Sequence, residues 1–236
     1  MFTLFFVEDL PTTVGAHYEF ANEDANHAIR VLRMQPGAEF MLSDGKGAWS
    51  QVKAIEVSKK SMQVQVLDSG YQEALATTIT VVQALPKGDR AKEAIELLTE
   101  SGVDRIVPWV ASRSIGKGTD KFAITAREAS KQSRRFRIPE VTEIATTSQI
   151  CEAIKLSDLA IVFHESATQK LSDQVSSHNV QTLLIIIGPE GGITDEELAA
   201  FEAAGAKVAL MGRPILRSAH AGIAAVSAVS ALLKVW

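Results

Sequence analysis

Along the first 70 or so residues apolar and polar positions alternate in short runs. "FTLFFV" is strand-like, and "GAEFMLSDGKGAWSQVKAIEVSKKSMQVQVL" carries the period of two expected of half-buried strands. Asp44-Gly45 and Gly47 interrupt that run where a hairpin has to turn. "NEDANHAIRVLRM" breaks the alternation and predicts a short helix or turn. The pattern is that of a small β-barrel, and the polar "DSGYQEALAT" after it predicts a linker.

From Thr78 the pattern changes to apolar runs separated by amphipathic segments. "TITVVQAL", "RIVPWV", "LAIVFHE", "TLLIIIG" and "KVALM" predict strands. Between them, "DRAKEAIELLTESG" predicts a helix with Asp89 as N-cap and Gly102 as its stop. Further helices are expected near Lys121 to Arg135, in "SQICEAIKL", from Thr194, and from Ser218 to Leu233, with Ser218 able to cap the last. Thr194 and Glu197 form a T-x-x-E capping box, so a helix starts directly after the glycines of "IIIGPEGGITDEELAAF". Nearly continuous apolar strands alternating with helices imply a parallel sheet covered on both faces. The expected organisation is therefore a β-barrel over residues 1–72 and an α/β domain over 73–236.

In such a sheet ligands bind at the carboxyl ends of strands, where Gly188 to Gly192 and Gly212 fall. Glycines there let the backbone approach a ligand closely. The loop lacks the Lys and Ser/Thr of a P-loop, and no dinucleotide fingerprint is present. Glu190 in its middle disfavours a phosphate and suits a ligand with positive charge. S-adenosylmethionine, with its sulfonium, ammonium and adenine groups, meets that requirement.

Charge sharpens the picture. The chain carries −4 overall, yet Arg113 to Arg137 holds eight Lys/Arg (113, 117, 121, 127, 131, 134, 135 and 137) against Asp120 and Glu128. That stretch is +6, which leaves the remaining residues at −10. "KQSRRFRIP" has four cations in seven residues and no acid among them, an electrostatic footprint suited to RNA. The 46% hydrophobic content allows a sizeable core, and no apolar run is long enough for a membrane span. Cys151 is the only cysteine, so no internal disulfide can form; its helical context predicts a packed thiol rather than a nucleophile. "MFTLFF" is too short for a signal segment, and a cytoplasmic protein is expected. No C-x-x-C, H-E-x-x-H or carboxylate cluster supports a metal.

"GPEGGIT" followed by "LMGRPILRSAHAGIAAVSAV" resembles the C-terminal motifs of the SPOUT RNA methyltransferases. Together with "HAIRVLRMQPGAEFMLSDGKG", "ALPKGDRAKEAIELLTESGVDRIVPWVASRS" and "REASKQSRR", they resemble the bacterial 16S ribosomal RNA uridine N3-methyltransferases over nearly the whole chain. The resemblance implies a PUA-like β-barrel, a trefoil-knotted parallel-sheet α/β domain and a homodimer. It also implies 16S rRNA of the small ribosomal subunit as substrate and S-adenosylmethionine as methyl donor.

Carried onto this chain, one wall of the donor pocket is Gly188, Pro189, Glu190, Gly191 and Gly192. The other is Leu210, Met211, Gly212, Ile215 and Leu216, with His164 and Glu165 nearby. The chain departs from the family in the order of Arg213 and Pro214, and in having Ser218-Ala219-His220-Ala221 where the family has Thr-Glu-Thr-Ala.

Methylating uracil N3 removes the imide proton and spreads negative charge over O2 and O4, and a fixed arginine stabilises that charge. Arg217 and Arg134 are the catalytic candidates. Gln132, Arg135 and Arg137, with Arg30 and Arg33 in "HAIRVLRM", are candidate RNA contacts. His220 is a weaker candidate base, and His27 and His164 are given no catalytic role. Ribose 2′-O methylation by another SPOUT enzyme, or a non-enzymatic assembly factor, are the alternatives.

Overall fold

The computed structural model describes residues 2–116, 118–175 and 179–235; Lys117 of the basic stretch and Trp236 after the last helix lie outside them. The chain divides into two compact units. One holds the residues up to Ala74 together with Ser130–Ile138, and the other Leu75–Ala129 and everything from Pro139.

The first unit is a curled five-stranded sheet built from β1 (Leu4–Phe6), β2 (His17–Phe20), β3 (Glu39–Ser43), β4 (Ala48–Val57) and β5 (Met62–Tyr71), in the order β1-β3-β4-β5-β2. Helix α1 (Glu23–Arg30) is capped by the Asn22 side chain, which accepts from Ala25 N–H. The alternation of β4 and β5 turns Val52, Ala54, Val64 and Val66 inward onto Phe5, Phe20 and Phe40, whose rings lie 5.5–5.7 Å apart. The turn after β3 falls where expected. Asp44 Oδ1 accepts from the N–H groups of Lys46 and Ala48, and Gly45 and Gly47 take φ of 74° and 116°.

The second unit is a six-stranded parallel sheet in the order β11-β9-β10-β6-β7-β8. Its elements in chain order are β6 (Thr78–Ala84), α2 (Arg90–Glu100), β7 (Arg105–Trp109), α3 (Phe122–Gln132), β8 (Glu140–Val141), α4 (Thr147–Lys155) and β9 (Leu159–Phe163). They continue with α5 (Leu171–Gln174), β10 (Thr182–Ile187), α6 (Asp195–Ala204), β11 (Lys207–Ala209) and α7 (Ser218–Leu233). The all-apolar run of β10 serves two cores at once. Leu183, Ile185 and Ile187 pack with Leu98, Val226 and Val229, whereas Leu184 and Ile186 pack with Trp109, Ile150 and Phe201. After the edge strand β11 the chain turns back, and α7 packs against α2, β10 and β6.

Several local expectations are corrected. "DSGYQEALAT" is only partly a linker, because Asp68–Tyr71 continues β5 and pairs with Ala48–Gln51. The helix expected to reach Arg135 ends at Gln132, and Arg134 sits at φ 57°. Asp89 stands at the N-cap of α2 without making a side-chain cap bond. Ser218 is not a cap: Arg217 holds the N-cap position of α7, and the Ser218 hydroxyl donates elsewhere, to the Gly188 carbonyl at 2.8 Å.

Candidate functional site

Three loops at the carboxyl end of the parallel sheet enclose a cavity of about 830 Å³. This lies within the roughly 300–1,000 Å³ of typical small-molecule sites. They are the loop after β9 with His164 and Glu165, the glycine loop after β10, and the loop from Leu210 to Arg217 after β11. Every residue assigned from sequence to a donor wall lines this cavity, and so does Arg217. The glycine loop is closed by Gly192 N–H donating to Pro189 C=O at 3.0 Å and by the Thr194–Glu197 capping box that starts α6. Gly192 has φ 77°, a conformation open to glycine and strained for other residues. The facing loop exposes Leu210, Ile215 and Leu216 at 37%, 79% and 41%, an apolar wall presented to the cavity rather than to the core.

Sequence reasoning missed Arg90, Arg113 and Ser218 as lining residues. Arg113 counted only as one cation in a basic run, although its place just after β7 was the available signal. Its Nη1 donates to Gly191 C=O at 3.1 Å, and a Cβ on Gly191 would come 3.0 Å from the Arg113 Cβ. A side chain at 191 would therefore crowd Arg113, which would have to shift by a few tenths of an ångström. The adjacent Ser112 is fixed by Glu197, whose carboxylate accepts from its N–H and hydroxyl. Glu190 is not an isolated acid: Arg90 Nη1 lies 3.8 Å from its Oε1, and Lys87 N–H donates to the same oxygen. At the start of α6 the Glu196 carboxyl is held below its ordinary value, first by its backbone N–H and then by the Thr194 hydroxyl.

His220 does not line the cavity; its Nε2 lies 3.0 Å from Glu93 Oε1 on α2. His164 uses Nδ1 locally, on Ser166. Among the described residues no group of three or more His, Cys, Asp or Glu could hold a metal ion. Among the described residues no helix is long and apolar enough to cross a membrane.

The remaining candidates belong to the first unit. Arg30 and Arg33 are exposed at the end of α1, with Arg33 at φ 53°, and Gln132 and Arg134 are exposed around the end of α3. The cluster "KQSRRFRIP" is less available than its sequence suggests. Lys131 Nζ meets the buried Asp24 at 2.7 Å. Arg137 Nη2 donates to Tyr71 Oη at 2.6 Å, its Nε to Gln72 C=O, and its guanidinium covers the Tyr71 ring at 5.1 Å. Arg135 is half-buried. Of the two catalytic candidates, only Arg217 lies on the cavity, and Arg134 is on the other unit.

Comparison with known proteins identifies this arrangement. Residues 73–230 match the RNA methyltransferase domain family, and residues 20–67 match the RNA methyltransferase PUA domain family. The chain is 34% identical to ribosomal RNA small subunit methyltransferase E of Mycobacterium bovis, over 99% of this chain and 93% of that protein. The chain belongs to this methyltransferase family. The Bacillus subtilis member is 28% identical over 95% of the chain and 91% of its own length. The solved structure of the Neisseria gonorrhoeae family member bound to S-adenosyl methionine has a TM-score of 0.87 at 24% identity, over 98% of both chains. A putative Legionella pneumophila methyltransferase in complex with the same cofactor gives the same values. The expected fold, a SPOUT α/β domain with a PUA-like barrel, is therefore that of this methyltransferase.

The cavity residues of the methyltransferase fit S-adenosylmethionine by their chemistry. Apolar side chains at Leu210, Ile215 and Leu216 suit the adenine, carboxylates at Glu165, Glu190 and Asp195 suit the cationic groups, and Gly212 leaves open space where a Cβ would stand.

Proposed function

We propose that the chain methylates N3 of a specific uridine in 16S ribosomal RNA, acting in the cytoplasm as a homodimer on the small ribosomal subunit. The observation that carries this reading is the convergence of the glycine loop, the 210–217 loop and Arg217 on one cavity, in a chain of this family. Bound there, S-adenosylmethionine supplies a methyl group activated by its sulfonium. The protein's part is to hold the donor between the two loops and to stabilise the uracil as it becomes an anion. The Arg217 guanidinium offers a planar fork of donors to O2 or O4 as the N3 proton is released to solvent. Because N3 lies on the Watson–Crick edge, the uridine has to be unpaired or flipped out to be reached. Arg30, Arg33, Gln132, Arg134 and Arg135 are assigned to holding the RNA.

The deciding experiment is mass-spectrometric mapping of 16S rRNA from cells lacking the protein, complemented with wild type or with Arg217→Ala. Loss of one N3-methyluridine, restored only by wild type, is expected. Loss of a ribose methyl group instead, or no loss of any modification, would overturn the assignment.

A further inference from the structure

Gln83 occupies the penultimate position of β6, in register with Ile187 at the end of β10. The alternation that turns Ile79 and Val81 into the core beneath α2 and α7 turns Gln83 into it as well. Its side chain is completely buried. An amide has no packing reason to stand there, since an isoleucine or leucine would continue the face.

The hydrogen bonds supply the reason. Gln83 Nε2 donates to Ala84 C=O at 3.0 Å and to Ser218 Oγ at 2.9 Å, which uses both of its N–H groups. Since the amide nitrogen can only donate, the Ser218 oxygen is the acceptor in that bond. Its single proton is thereby left for Gly188 C=O, 2.8 Å away. The direction of the relay is fixed from strand to helix to glycine loop. The relay has a cost: Gln83 Oε1 is buried without a hydrogen-bond partner. Gly222 of α7 faces the same spot, where a Cβ would come 2.7 Å from Leu98 Cδ2 and 3.5 Å from Gln83 Oε1.

We infer that Gln83 and Ser218 are positioning residues that fasten the first carbonyl of the glycine loop to the start of the last helix. They hold that loop in the shape that accepts the methyl donor. This rests on the reading of the cavity as the donor site. Ser218 is itself a lining residue, whereas Gln83 acts on the donor only through it. A group retained for stability alone would not leave a buried carbonyl bare, because an apolar residue of similar shape avoids that penalty.

The test uses the full chain and two readouts. Calorimetric titration with S-adenosylmethionine is expected to show Gln83→Met and Ser218→Ala binding about tenfold more weakly than wild type, equivalent to the loss of one well-made hydrogen bond. Ser218→Thr, which keeps the hydroxyl, is expected to stay within about threefold. Thermal unfolding of Gln83→Met is expected at or above the wild-type midpoint, separating positioning from stability. Hydrogen exchange of the 188–192 amides in the ligand-free protein is expected to quicken in Gln83→Met and Ser218→Ala but not in Ser218→Thr. Wild-type affinity and wild-type loop exchange in Gln83→Met and Ser218→Ala would overturn the inference. Failure of wild type to bind S-adenosylmethionine would overturn the donor reading instead, with the exchange data still deciding whether the relay holds the loop.

Discussion

Lys131 Nζ and Asp24 Oδ1 lie 2.7 Å apart although 107 residues separate them in the chain. Their side chains are 12% and 8% exposed, and the other Asp24 oxygen accepts from Phe6 N–H. The pair fastens the last turn of α3 to the barrel. Backbone bonds from Gly47 N–H to Phe136 C=O and from Ile138 N–H to Gly45 C=O continue the attachment, as does the stack of Trp49 on Phe136. This is why Ser130–Ile138 belongs to the first unit.

Removing one member of a buried pair takes away part of the other charge's compensation, at a cost of up to about 3–5 kcal/mol. Lys131→Met is expected to destabilise the first unit by roughly that much in urea unfolding. Adding Asp24→Asn, which keeps an oxygen for Phe6 N–H, is expected to recover more than half of the loss. No recovery in the double variant would mean the lysine acts by packing and not by charge.

The basic cluster divides into two kinds of arginine. Arg134 is exposed at φ 57°, so Arg134→Gly removes a cation at a position where glycine is at ease. Its expected signature is a shallower salt dependence of binding to a 16S rRNA fragment, by about 0.7 in the log–log slope, with stability nearly unchanged. Arg137→Ala breaks the contacts to Tyr71 and Gln72, and a lower unfolding midpoint is expected. Fluorescence anisotropy across a salt series, beside thermal unfolding, separates the two; an unaltered slope for Arg134→Gly would remove it from the RNA surface.

Gly192 has φ 77°, where a β-branched residue is a severe outlier. Gly192→Val is expected to reshape the loop and weaken S-adenosylmethionine binding by at least a hundredfold. A folded variant that retains wild-type affinity in calorimetry would show that the donor does not rest on this loop.

These cases mark what the sequence could disclose. The strand β10, the glycine loop after it and the Thr194–Glu197 box were legible, because periodicity, glycine spacing and capping chemistry are local. The pairing of Lys131 with Asp24 was not, since no local pattern reports a partner 107 residues away. Ser218 was misread for a related reason. A serine at a helix start ordinarily caps it, and only the nearness of Gly188 and Gln83 redirects its hydroxyl. The apolar face of Leu210, Ile215 and Leu216 could be placed at the site only through the family motif, because composition does not distinguish a cavity wall from core.

Asp158 supplies a pH test. Its carboxylate accepts from Thr182 N–H and hydroxyl and from Gln181 N–H, tying the start of β9 to the start of β10, and these bonds hold its pKa below the ordinary value. A depressed folded pKa contributes stability above the unfolded value of about 3.9, and that contribution is lost as pH falls through the folded value. The advantage of wild type over Asp158→Asn in unfolding midpoint is therefore expected to be constant above about pH 5 and to shrink below about pH 4. A difference independent of pH down to 3 would contradict this account.

Helix α7 has His220 as its only ionisable residue between Ser218 and Leu233. One face is already used: Ala219, Ala225, Val226 and Val229 are buried in the chain's own core, at 1% exposure or less. A charge at Ala225 would therefore unfold the domain and report nothing about association. The opposite side carries Ile223, Ala224 and Ser227, partly exposed, and Ala231 and Leu232, exposed. A helix apolar on all sides is normally covered on all sides, and a second copy of the chain is the cover the proposed homodimer requires. Ala224→Glu keeps good helix propensity while placing a charge on that side. Wild type is expected to sediment as a dimer, and Ala224→Glu as a monomer with an unchanged circular dichroism spectrum. A variant that remains dimeric would move the interface off α7, and a wild-type monomer fully active at assay concentrations would remove the dimer altogether.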